Sequence, residues 1–254
     1  MRIALYGYGK MGKAIEQVAL SRGHEVVLRV NAENAGTAPV GADLAIEFSK
    51  PDQAIDNMRL CLDHGIPVVV GTTGWYDRMT DVRQIVESNK GSLLWASNFS
   101  IGVNLFFRAN RMLAGLMDAR AEYAAHIDEI HHVHKLDAPS GTAITLARDI
   151  DLKTQRYSGW KLMGHEQEAP FAARSSARIG ATPPPEPAPV VIQSERIGEV
   201  TGKHSVTWAS ANDRIVITHE AFDRNGFAQG AVVAAEWLLG RKGFFTMDDV
   251  LDMH

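Results

Sequence analysis

The chain lacks the features of a disulfide-rich, membrane-spanning or nucleic-acid-binding protein. Its 254 residues include one cysteine, Cys61, which excludes an internal disulfide framework and a thiolate zinc cluster. No apolar run approaches the ~20 residues of a membrane span. The formal net charge of −4 argues against a broad basic surface for nucleic acid. A strand-like run begins at residue 3, and no longer apolar segment or cleavage site follows it, so we expect no signal peptide. We therefore expect a soluble cytoplasmic protein without nucleic-acid or membrane partners.

The N-terminal part of the chain alternates between short apolar runs and segments of helical periodicity. Apolar residues recur at helical spacing from Met11 to a stop at Gly23, Pro51 and Gly65 bracket a second helix, and a third spans about Tyr76–Asn89. The predicted strands are Arg2–Gly7, Glu25–Val30, Leu44–Phe48, Pro67–Gly71 and Ser92–Ala96. This alternation predicts a parallel sheet with helices on both faces.

After Asn98 the pattern changes. Helices are predicted over Gly102–Asp118 and Gly141–Ile150, with a strand over Tyr123–His132 between them. Residues 156–189 are interpreted as irregular, and their "TPPPEPAP" stretch as a stiff extended loop. The strand-like runs "VVIQSERIG", "HSVTWAS" and "RIVITHEAF" then precede a last helix, "FAQGAVVAAEWLLG". Successive strands without long helices between them predict a second domain of α+β type with an antiparallel or mixed sheet.

The motif "GYGKMG" places Gly7, Gly9 and Gly12 in the G-x-G-x-x-G pattern of dinucleotide-binding proteins. The pattern carries meaning here because it follows a predicted strand and opens a helix at the start of a βαβ unit. Gly7 permits the tight turn, Gly9 lets the backbone approach a pyrophosphate, and Gly12 lets helix and strand pack closely. A purely structural turn is the alternative. The other candidate cofactor contacts in the loop are Tyr8, Lys10 and Met11.

The end of the second predicted strand bears on the choice between NADH and NADPH. An acidic residue about 20 positions after the glycines would hold the ribose hydroxyls, and Asn31 stands there. Without that carboxylate a 2′-phosphate is repelled less, and Arg29 or Lys10 could reach one. Glu33 could equally serve as the missing acid, and Arg29 could be a solvated charge at the strand end. Both cofactors therefore stay open, with a slight preference for NADPH or dual use.

The densest chemistry lies in "DEIHHVHKLDAPSGTA", Asp128–Ala143. His131, His132, His134 and Lys135 fall within five residues of one another. A metal site is one interpretation, but catalytic zinc ligands are usually well separated or helix-spaced, and no carboxylate ligand motif accompanies these histidines. A solvated polar loop is another. We predict no metal.

A third interpretation is a proton donor between two anion sites. If the segment is extended, His131 and Lys135 lie on one side and the other two histidines on the opposite side. Histidine can supply a proton near neutrality, and lysine is a point charge suited to a carboxylate. Ser140 is a good N-cap, and the N–H groups of Gly141 and Thr142 could bind a second carboxylate. This arrangement fits a small dianionic substrate.

Several motifs occur in the same order as in the 4-hydroxy-tetrahydrodipicolinate reductase (dihydrodipicolinate reductase) family, which belongs to the diaminopimelate route to lysine. These are "GYGKMG", "AIEFSKP", "GTTGW", "SNFSIGVN", "EIHHVHKLDAPSGTA" and, near the C-terminus, "RIGEVTGKHSV", "ITHEAFDRNGFAQGA" and "MDDVL". The resemblance covers nearly the whole chain, and the histidine–lysine segment is its most specific part. Asn31 and Lys10 depart from the family pattern, which keeps cofactor preference open.

The resemblance implies the reaction and the roles of the site residues. A hydride passes from NADH or NADPH to a cyclic imine, giving tetrahydrodipicolinate with loss of water. The implied proton donor is His131, and the implied substrate-binding cation is Lys135. The other implied substrate ligands are His132, Ser140, Gly141 and Thr142. The implied contacts on the nicotinamide side of the cofactor are Gly71, Thr72, Thr73, Ser97, Asn98 and Phe99.

The resemblance also implies the domain organisation and the assembly. The fold class is α/β, with a Rossmann-type dinucleotide-binding domain formed by residues 1–102 and 225–254. Residues 103–224 form an α+β substrate-binding and oligomerisation domain with a mixed sheet. The family is usually tetrameric through the sheets of this second domain. The sequence agrees in that Val190–Thr218 is strand-rich and needs a cover for one sheet face.

Other functions stay open from the residues alone. Another nicotinamide-dependent amino-acid dehydrogenase could use the same histidine as its acid. A catalytically silent dinucleotide sensor would not need to retain His131, Lys135 and the S-G-T run. A metal-dependent hydrolase would use the histidine cluster. His204 and His219 flank strand-like runs and are interpreted as structural.

Overall fold

The computed structural model describes residues 1–163, 187–223 and 225–252. None of the helices among these residues is both long and apolar enough to cross a bilayer. The chain divides into two compact units. Unit 1 comprises Met1–Asn104 and Arg224–His254, and unit 2 is Leu105–Asp223, so the observed divisions lie within two residues of the predicted ones.

Unit 1 is built on a six-stranded sheet in which every pairing is parallel. Its strands are β1 (Arg2–Tyr6), β2 (Glu25–Val30), β3 (Leu44–Glu47), β4 (Val68–Val70), β5 (Ser92–Trp95) and β11 (Gly243–Phe245). They lie in the order β11-β5-β4-β3-β1-β2. The β4 run is fully buried, as expected for a central strand covered on both faces.

Helices cover both faces of this sheet, as predicted. The α-helices among the described residues are α1 (Lys10–Ser21), α2 (Pro51–Asp63), α3 (Met79–Ser88), α4 (Ile101–Met117), α5 (Gly141–Lys153), α6 (Asn225–Leu238) and α7 (Met247–Val250). Ile3 and Leu5 pack with α1 and α6 on one face, whereas Ala4 and Tyr6 pack with α2 and α3 on the other. The two-residue alternation of β1 thus divides the unit into two cores.

Helix α6 brings the end of the chain back to unit 1. A Cβ atom at Gly230 would clash with the Phe99 carbonyl, so this close approach of helix to backbone requires glycine. The returning chain then adds β11 beside β5. This strand was not predicted, because a three-residue run offers no alternation to detect.

Unit 2 contains a five-stranded mixed sheet, which confirms the predicted fold class. Its strands are β6 (Ala124–His131), β7 (Tyr157–Leu162), β8 (Ala188–Arg196), β9 (Gly202–Ala209) and β10 (Arg214–Ala221), in the order β10-β9-β6-β8-β7. The β10–β9 and β9–β6 pairs are antiparallel, and the β6–β8 and β8–β7 pairs are parallel. Helix α5 contacts β6, β7, β8 and β9.

The interpretation of residues 156–189 as irregular is wrong at both ends. Tyr157–Leu162 forms β7, whose register shifts between Tyr157 and Trp160 and whose Gly159 has φ +68°. This edge strand is mostly exposed, so it lacks the apolar alternation by which strands are recognised. Ala188 and Pro189 belong to β8. Residues 164–186, which hold most of the proline-rich stretch, lie outside the described residues.

Candidate active site

The three glycines of the first loop have different surroundings. Gly7 has φ +90°, and a Cβ atom there would clash with the Phe48 carbonyl. A Cβ at Gly12 would clash with the Gly7 carbonyl, as the close packing of helix on strand predicts. A Cβ at Gly9 would meet nothing within 4 Å. The protein's own packing therefore requires Gly7 and Gly12, whereas the space above Gly9 fits a bound phosphate.

A pocket of about 300 Å³ lies beside this loop, at the carboxyl ends of β1, β2 and β3. This is the edge at which open parallel sheets bind nucleotides. Gly9 lines this pocket and is the N-cap of α1, where it has no side chain to cap the first N–H groups of the helix. The lining includes Gly7, Tyr8, Gly9, Asn31, Ser49 and Lys50. These residues suit a dinucleotide, with phosphate at the helix start and ribose near Asn31.

Asn31 stands at the rim of the pocket, where the sequence places the ribose-binding position. Its Oδ1 accepts a hydrogen bond from the Glu33 N–H at 2.8 Å. Its own N–H donates to Oδ1 of Asn34 at 2.7 Å. Asn31 therefore organises the turn after β2, and an aspartate could accept the same Glu33 bond.

Arg29, which the sequence offered as a 2′-phosphate ligand or a solvated charge, points instead to a buried carboxylate. Its Nε donates to Glu16 at 2.8 Å, and the Tyr8 hydroxyl donates to the same carboxylate. The hydrogen bond from Arg29 holds the pKa of Glu16 below its usual range, against the effect of burial. Lys10 is exposed at the start of α1.

The segments Gly71–Thr73 and Ser97–Phe99 follow β4 and β5, so they lie at the same sheet edge as the glycine loop. A Cβ at Gly71 would clash with the Phe48 ring, and the Phe99 ring lies 5.6 Å from that ring. Asn98 Oδ1 accepts a bond from the Ser100 N–H at 2.8 Å. Sequence reasoning missed Phe48, which joins both segments to the pocket; its position directly after β3 was the available signal.

The histidine–lysine segment begins at the end of β6 and does not continue as an extended strand. The Lys135 N–H donates to the His132 carbonyl at 3.1 Å, which closes a turn at Val133 and His134. The His132 and His134 rings lie 6.2 Å apart. The condition under which His131 and Lys135 would lie on one side of an extended segment is therefore not met, because this turn replaces the alternation of a strand.

Lys135 is partly buried and paired with a neighbour. Its Nζ lies 2.7 and 2.9 Å from the two Asp137 carboxylate oxygens. Burial works against the charge of Asp137, but the bond from Lys135 holds the pKa of that carboxyl below its usual range. From β8, Arg196 donates to the Lys135 carbonyl at 3.3 Å and to the Asp137 carbonyl at 2.5 Å. A second strand therefore fixes the path of this loop.

Ser140 is the N-cap of α5, as predicted. Its Oγ accepts from the Ala143 N–H at 3.2 Å and hydrogen-bonds His204 Nε2 at 3.0 Å. The residue is buried, and its role in the described structure is to fix the helix start. Gly141 is exposed and Thr142 is half-buried, so these two positions present the accessible part of that start.

A buried carboxylate that sequence reasoning missed lies under this segment. Both Glu129 oxygens accept from the Ser140 N–H at 3.0 Å, and Ser194 Oγ donates to Oε1 at 2.5 Å. Arg196 Nη2 lies 3.4 Å from Oε1, and His204 Nε2 lies 3.5 Å from Oε2. Burial opposes the charge, but hydrogen bonds, from His204 first, hold the pKa of Glu129 well below its usual range.

His131 lies beside this carboxylate and is itself buried. Its Nδ1 is 3.7 Å from Glu129 Oε2, and its ring meets the His204 ring edge-on at 4.9 Å between centroids. Burial, and next the charge of His204, lower the pKa of His131 to about 4, while Glu129 acts in the opposite direction. The residue carries no charge at neutral pH in the absence of substrate.

Glu129, His131 and His204 present potential metal-ligand atoms within 4.8 Å of one another. The donor set fits a metal poorly, because Ser140, Ser194 and the Arg196 cation already occupy the Glu129 oxygens. Ser140 also occupies His204 Nε2. We assign no metal here, and the absence of a metal stays a prediction.

Comparison with known proteins decides the family. The model of the dihydrodipicolinate reductase N-terminus matches residues 1–99, and that of the C-terminus matches residues 102–251. The chain belongs to the dihydrodipicolinate reductase family. A 4-hydroxy-tetrahydrodipicolinate reductase of Christiangramia forsetii is 44% identical over 99% of this chain and 98% of its own length. One of Archaeoglobus fulgidus is 33% identical over 99% of this chain and 100% of its own.

A solved structure shares the fold. The dipicolinate-bound dihydrodipicolinate reductase of a Paenisporosarcina species superposes with a TM-score of 0.71 at 23% identity, over 97% of each chain. The family and fold predicted from the motifs are thus confirmed. The family uses NADH or NADPH to reduce 4-hydroxy-tetrahydrodipicolinate in lysine biosynthesis, and this chain is an oxidoreductase of that reaction. Family membership decides among the functions that the residues alone left open.

The space above Gly9 yields a first prediction. A Gly9→Val side chain would occupy the space that we assign to the pyrophosphate, and its Cβ would meet no protein atom within 4 Å, so we expect weaker cofactor binding in a folded protein. We expect NADPH affinity to fall by at least about 10²-fold, as when a buried steric conflict removes several kcal/mol. A fluorescence titration measures it. Gly115→Ala, at an open helical position, is the control. Unchanged affinity in Gly9→Val would remove this loop from the cofactor site.

The rim of the pocket yields a second prediction, on cofactor choice. Asn31→Asp keeps the acceptor for the Glu33 N–H, adds a partner for ribose hydroxyls and repels a 2′-phosphate. We expect the ratio of kcat/KM for NADH to that for NADPH to rise by about tenfold, which corresponds to ~1.4 kcal/mol. Asn212→Asp, in an exposed loop of unit 2, adds the same charge elsewhere as a control. If the ratio does not change, Asn31 is not at the ribose and Glu33 becomes the candidate.

Proposed function

We propose that His131 supplies the proton of the reaction, and that Lys135 and the start of α5 bind the carboxylates of the substrate. The observation that carries this assignment is the placement of all three in unit 2. His131 ends β6, the Lys135 loop follows, and Ser140 caps α5 directly after that loop. The reaction adds one hydride and one proton to the substrate and releases water, so an acid and an anion site are what it requires.

The substrate class is a small dicarboxylate. Lys135 contributes a point charge, and the accessible N–H groups of Gly141 and Thr142 offer a helix start to a second carboxylate. His132, half-buried beside the turn, is a further proposed ligand. The relative from Paenisporosarcina, which binds dipicolinate, supports this class. We propose neither a nucleic-acid nor a membrane partner.

The hydride comes from NADH or NADPH, whose phosphate end the residues around Gly9 fit. Gly71–Thr73 and Ser97–Phe99, at the same edge of the unit 1 sheet, are proposed to contact the nicotinamide side. Thr72 and Phe99 are both buried, whereas Thr73 and Ser97 are exposed. The cofactor residues of the proposal all belong to unit 1.

The lowered pKa of His131 has a consequence for its role as an acid. With a pKa of about 4 the ring is neutral in the free enzyme at pH 7. A dianionic substrate nearby favours the imidazolium form, because an opposite charge raises a histidine pKa. The proton that His131 donates is therefore taken up together with the substrate.

A third prediction separates proton donation from substrate binding. His131→Gln removes the acid, so we expect kcat to fall by ~10²–10⁴-fold with less effect on KM. Lys135→Ala removes a charge-assisted bond, so KM rises and the affinity for pyridine-2,6-dicarboxylate falls. The assay is NADPH oxidation with enzymatically generated 4-hydroxy-tetrahydrodipicolinate. NADPH affinity without substrate stays close to normal in both variants, because the proposed cofactor residues belong to unit 1.

The pH dependence gives the same prediction a second measurement. Activity that needs protonated His131 falls as pH rises through its pKa. In the parent this fall occurs at lower pH for kcat/KM, which reports the free enzyme, than for kcat, which reports the substrate complex. His131→Gln should abolish this fall of activity with rising pH, which is the limb of the pH profile that we assign to the acid. If His131→Gln keeps the turnover and pH profile of the parent, His131 is not the acid. If Lys135→Ala binds the dicarboxylate as tightly as the parent does, the anion site lies elsewhere.

We propose that the protein is a homotetramer assembled through the sheets of unit 2. Helix α5 contacts one face of this sheet, and Phe106 of α4 stacks on His219 of β10. The register assigns Ser205, Thr207 and Val216 to the opposite face, where Ser205 and Thr207 are buried and Val216 is 46% exposed. These three side chains are small or polar, and the resemblance to the family supports the use of this face for assembly.

Light scattering coupled to size-exclusion chromatography tests this fourth prediction. The expected mass is four times the 27.8 kDa of one chain. Val216→Glu places a charge on the proposed contact face and lowers the mass, whereas Val40→Glu, at a position of unit 1 that is 80% exposed, does not. A monomeric parent at micromolar concentration would contradict the proposal.

We also propose a cytoplasmic location. The support is the family and the single cysteine, Cys61, which is buried as a free thiol and suits a reducing compartment. Cell fractionation with antibody detection tests it, and recovery of the protein outside the cytoplasmic fraction would contradict it.

A further inference from the structure

The orientation of the His131 ring depends on groups outside the segment that carries it. The described residues that face this ring with titratable or charged groups are Glu129 of β6, Arg196 of β8, His204 of β9 and Lys135 of the following loop. Among them Glu129 carries the one negative charge. Its Oε2 lies 3.7 Å from His131 Nδ1, and Nδ1 is buried with no hydrogen-bond partner in the described part of the chain. A buried nitrogen without a partner beside a carboxylate calls for an explanation.

We propose that Glu129 is a positioning residue for His131. Its carboxylate accepts the Nδ1–H of the ring, which leaves Nε2 as the atom that carries the proton to the substrate. This inference rests on the proposed function of His131. A small rotation of the ring brings Nδ1 within hydrogen-bond distance, and such bonds in substrate-free enzymes are often long and tighten when the substrate binds. The carboxylate would both fix the ring and stabilise its charged form.

Glu129 is itself held too firmly to rotate away. It is 1% exposed, and its oxygens accept from the Ser140 N–H, from Ser194 Oγ and from Arg196. These donors come from the start of α5 and from β8, so the carboxylate is fixed from two elements besides its own strand. Because the Glu129 carboxylate cannot move, a hydrogen bond to it would hold the His131 ring in one orientation.

The other side of the ring is kept open by a glycine. A Cβ atom at Gly202 would lie 3.2 Å from His131 Nε2 and 3.4 Å from its Cδ2. Gly202 has no positive φ, so the backbone does not require glycine there. The lack of a side chain instead leaves room at Nε2, the atom to which we assign the transfer. As the hydride arrives, the Nε2–H proton bonds to the substrate, and the electron pair of that bond stays on Nε2.

The experiment compares the parent with Glu129→Gln, which keeps the shape of the side chain and removes its charge. Asp128→Asn is the matched control, because it removes the adjacent carboxylate, which hydrogen-bonds His126 on the opposite face of β6. Two measurements are made: the ¹⁵N chemical shifts of His131, assigned by comparison with His131→Gln, and the pH profile of kcat with KM. Thermal unfolding checks that each variant is folded.

In the substrate-free parent at pH 7 we expect Nδ1 to be protonated and Nε2 not. In Glu129→Gln we expect this tautomer to lose population and kcat to fall by about 10²-fold, as for a misplaced catalytic group. The limb on which kcat falls with rising pH moves to lower pH, because the imidazolium loses its negative neighbour. Asp128→Asn keeps the parental shifts and profile. A purely structural role of Glu129 would instead weaken dicarboxylate binding and leave tautomer and limb in place.

Gly202→Ala provides a second variant in case Glu129→Gln does not fold. Its methyl group crowds Nε2 without changing a charge, so kcat falls while the pH limb keeps its position. An Nε2-protonated tautomer in the parent overturns the inference, as does parental kcat in folded Gly202→Ala. The inference is also overturned if folded Glu129→Gln keeps the His131 tautomer of the parent and the same fall of kcat with pH.

The failure of this inference is distinguishable from failure of the proposed function. A parent that does not oxidise NADPH with the substrate contradicts the function itself. Parental activity that survives in His131→Gln removes His131 as the acid. If the parent is active and His131→Gln is not, while Glu129→Gln behaves as the parent, the positioning by Glu129 alone is wrong.

Discussion

The pair of hydrogen bonds from the Ser140 N–H to the buried Glu129 carboxylate is the contact on which the rest of the site depends. It fixes where α5 begins, and therefore where Gly141 and Thr142 lie at the start of this helix. The same carboxylate receives Ser194 and Arg196 from β8. A buried charge that loses a partner costs about 3–5 kcal/mol, so the start of the helix cannot drift from the strands without a large loss of stability.

Two buried glutamates show how hydrogen bonds decide the state of a carboxyl group. Glu47 ends β3 under the nucleotide pocket, where Ser49 and Asn57 donate to one of its oxygens, and burial raises its pKa. Glu129 is also buried, but donors reach both of its oxygens and hold its pKa down. The two carboxyl groups therefore change the free energy of unfolding with pH in opposite directions. Glu129 contributes above its unfolded pKa and loses that contribution in acid, whereas Glu47 favours the fold when protonated and less as pH rises.

Local sequence patterns predicted the features that local geometry determines. Gly7 stands at a positive φ, Gly12 at a close contact, and Ser140 caps its helix, each as the residue type indicates. The end of β6 at His131 was predicted within one residue. The alternation of strands and helices likewise gave the parallel sheet, because both faces of that sheet need apolar cover.

The features that were missed depend on strand register. Glu129 pairs with Ser194 on β8 and with His204 on β9, far apart in sequence, and no local pattern shows that register. His204 was therefore interpreted as structural, although its ring packs against that of His131. The turn after His132 was missed for the same reason, since Arg196 of β8 holds the carbonyls of the loop that follows. The irregular edge strand β7 showed no alternation at all.

The pairing of Lys135 with Asp137 bears on how an anion site can be both available and stable. Lys135 is partly buried, and in the described structure its Nζ is paired with the Asp137 carboxylate. The Asp137 side chain is 63% exposed. If Lys135 binds a substrate carboxylate as we propose, water can therefore solvate Asp137 when that carboxylate takes its place. Arg196 meanwhile binds backbone carbonyls of the loop and the Glu129 carboxylate, which commits this cation to the fold. The proposed function therefore gives the two neighbouring cations different roles: the exposed partner of Lys135 can be exchanged for substrate, whereas the buried partners of Arg196 belong to the fold.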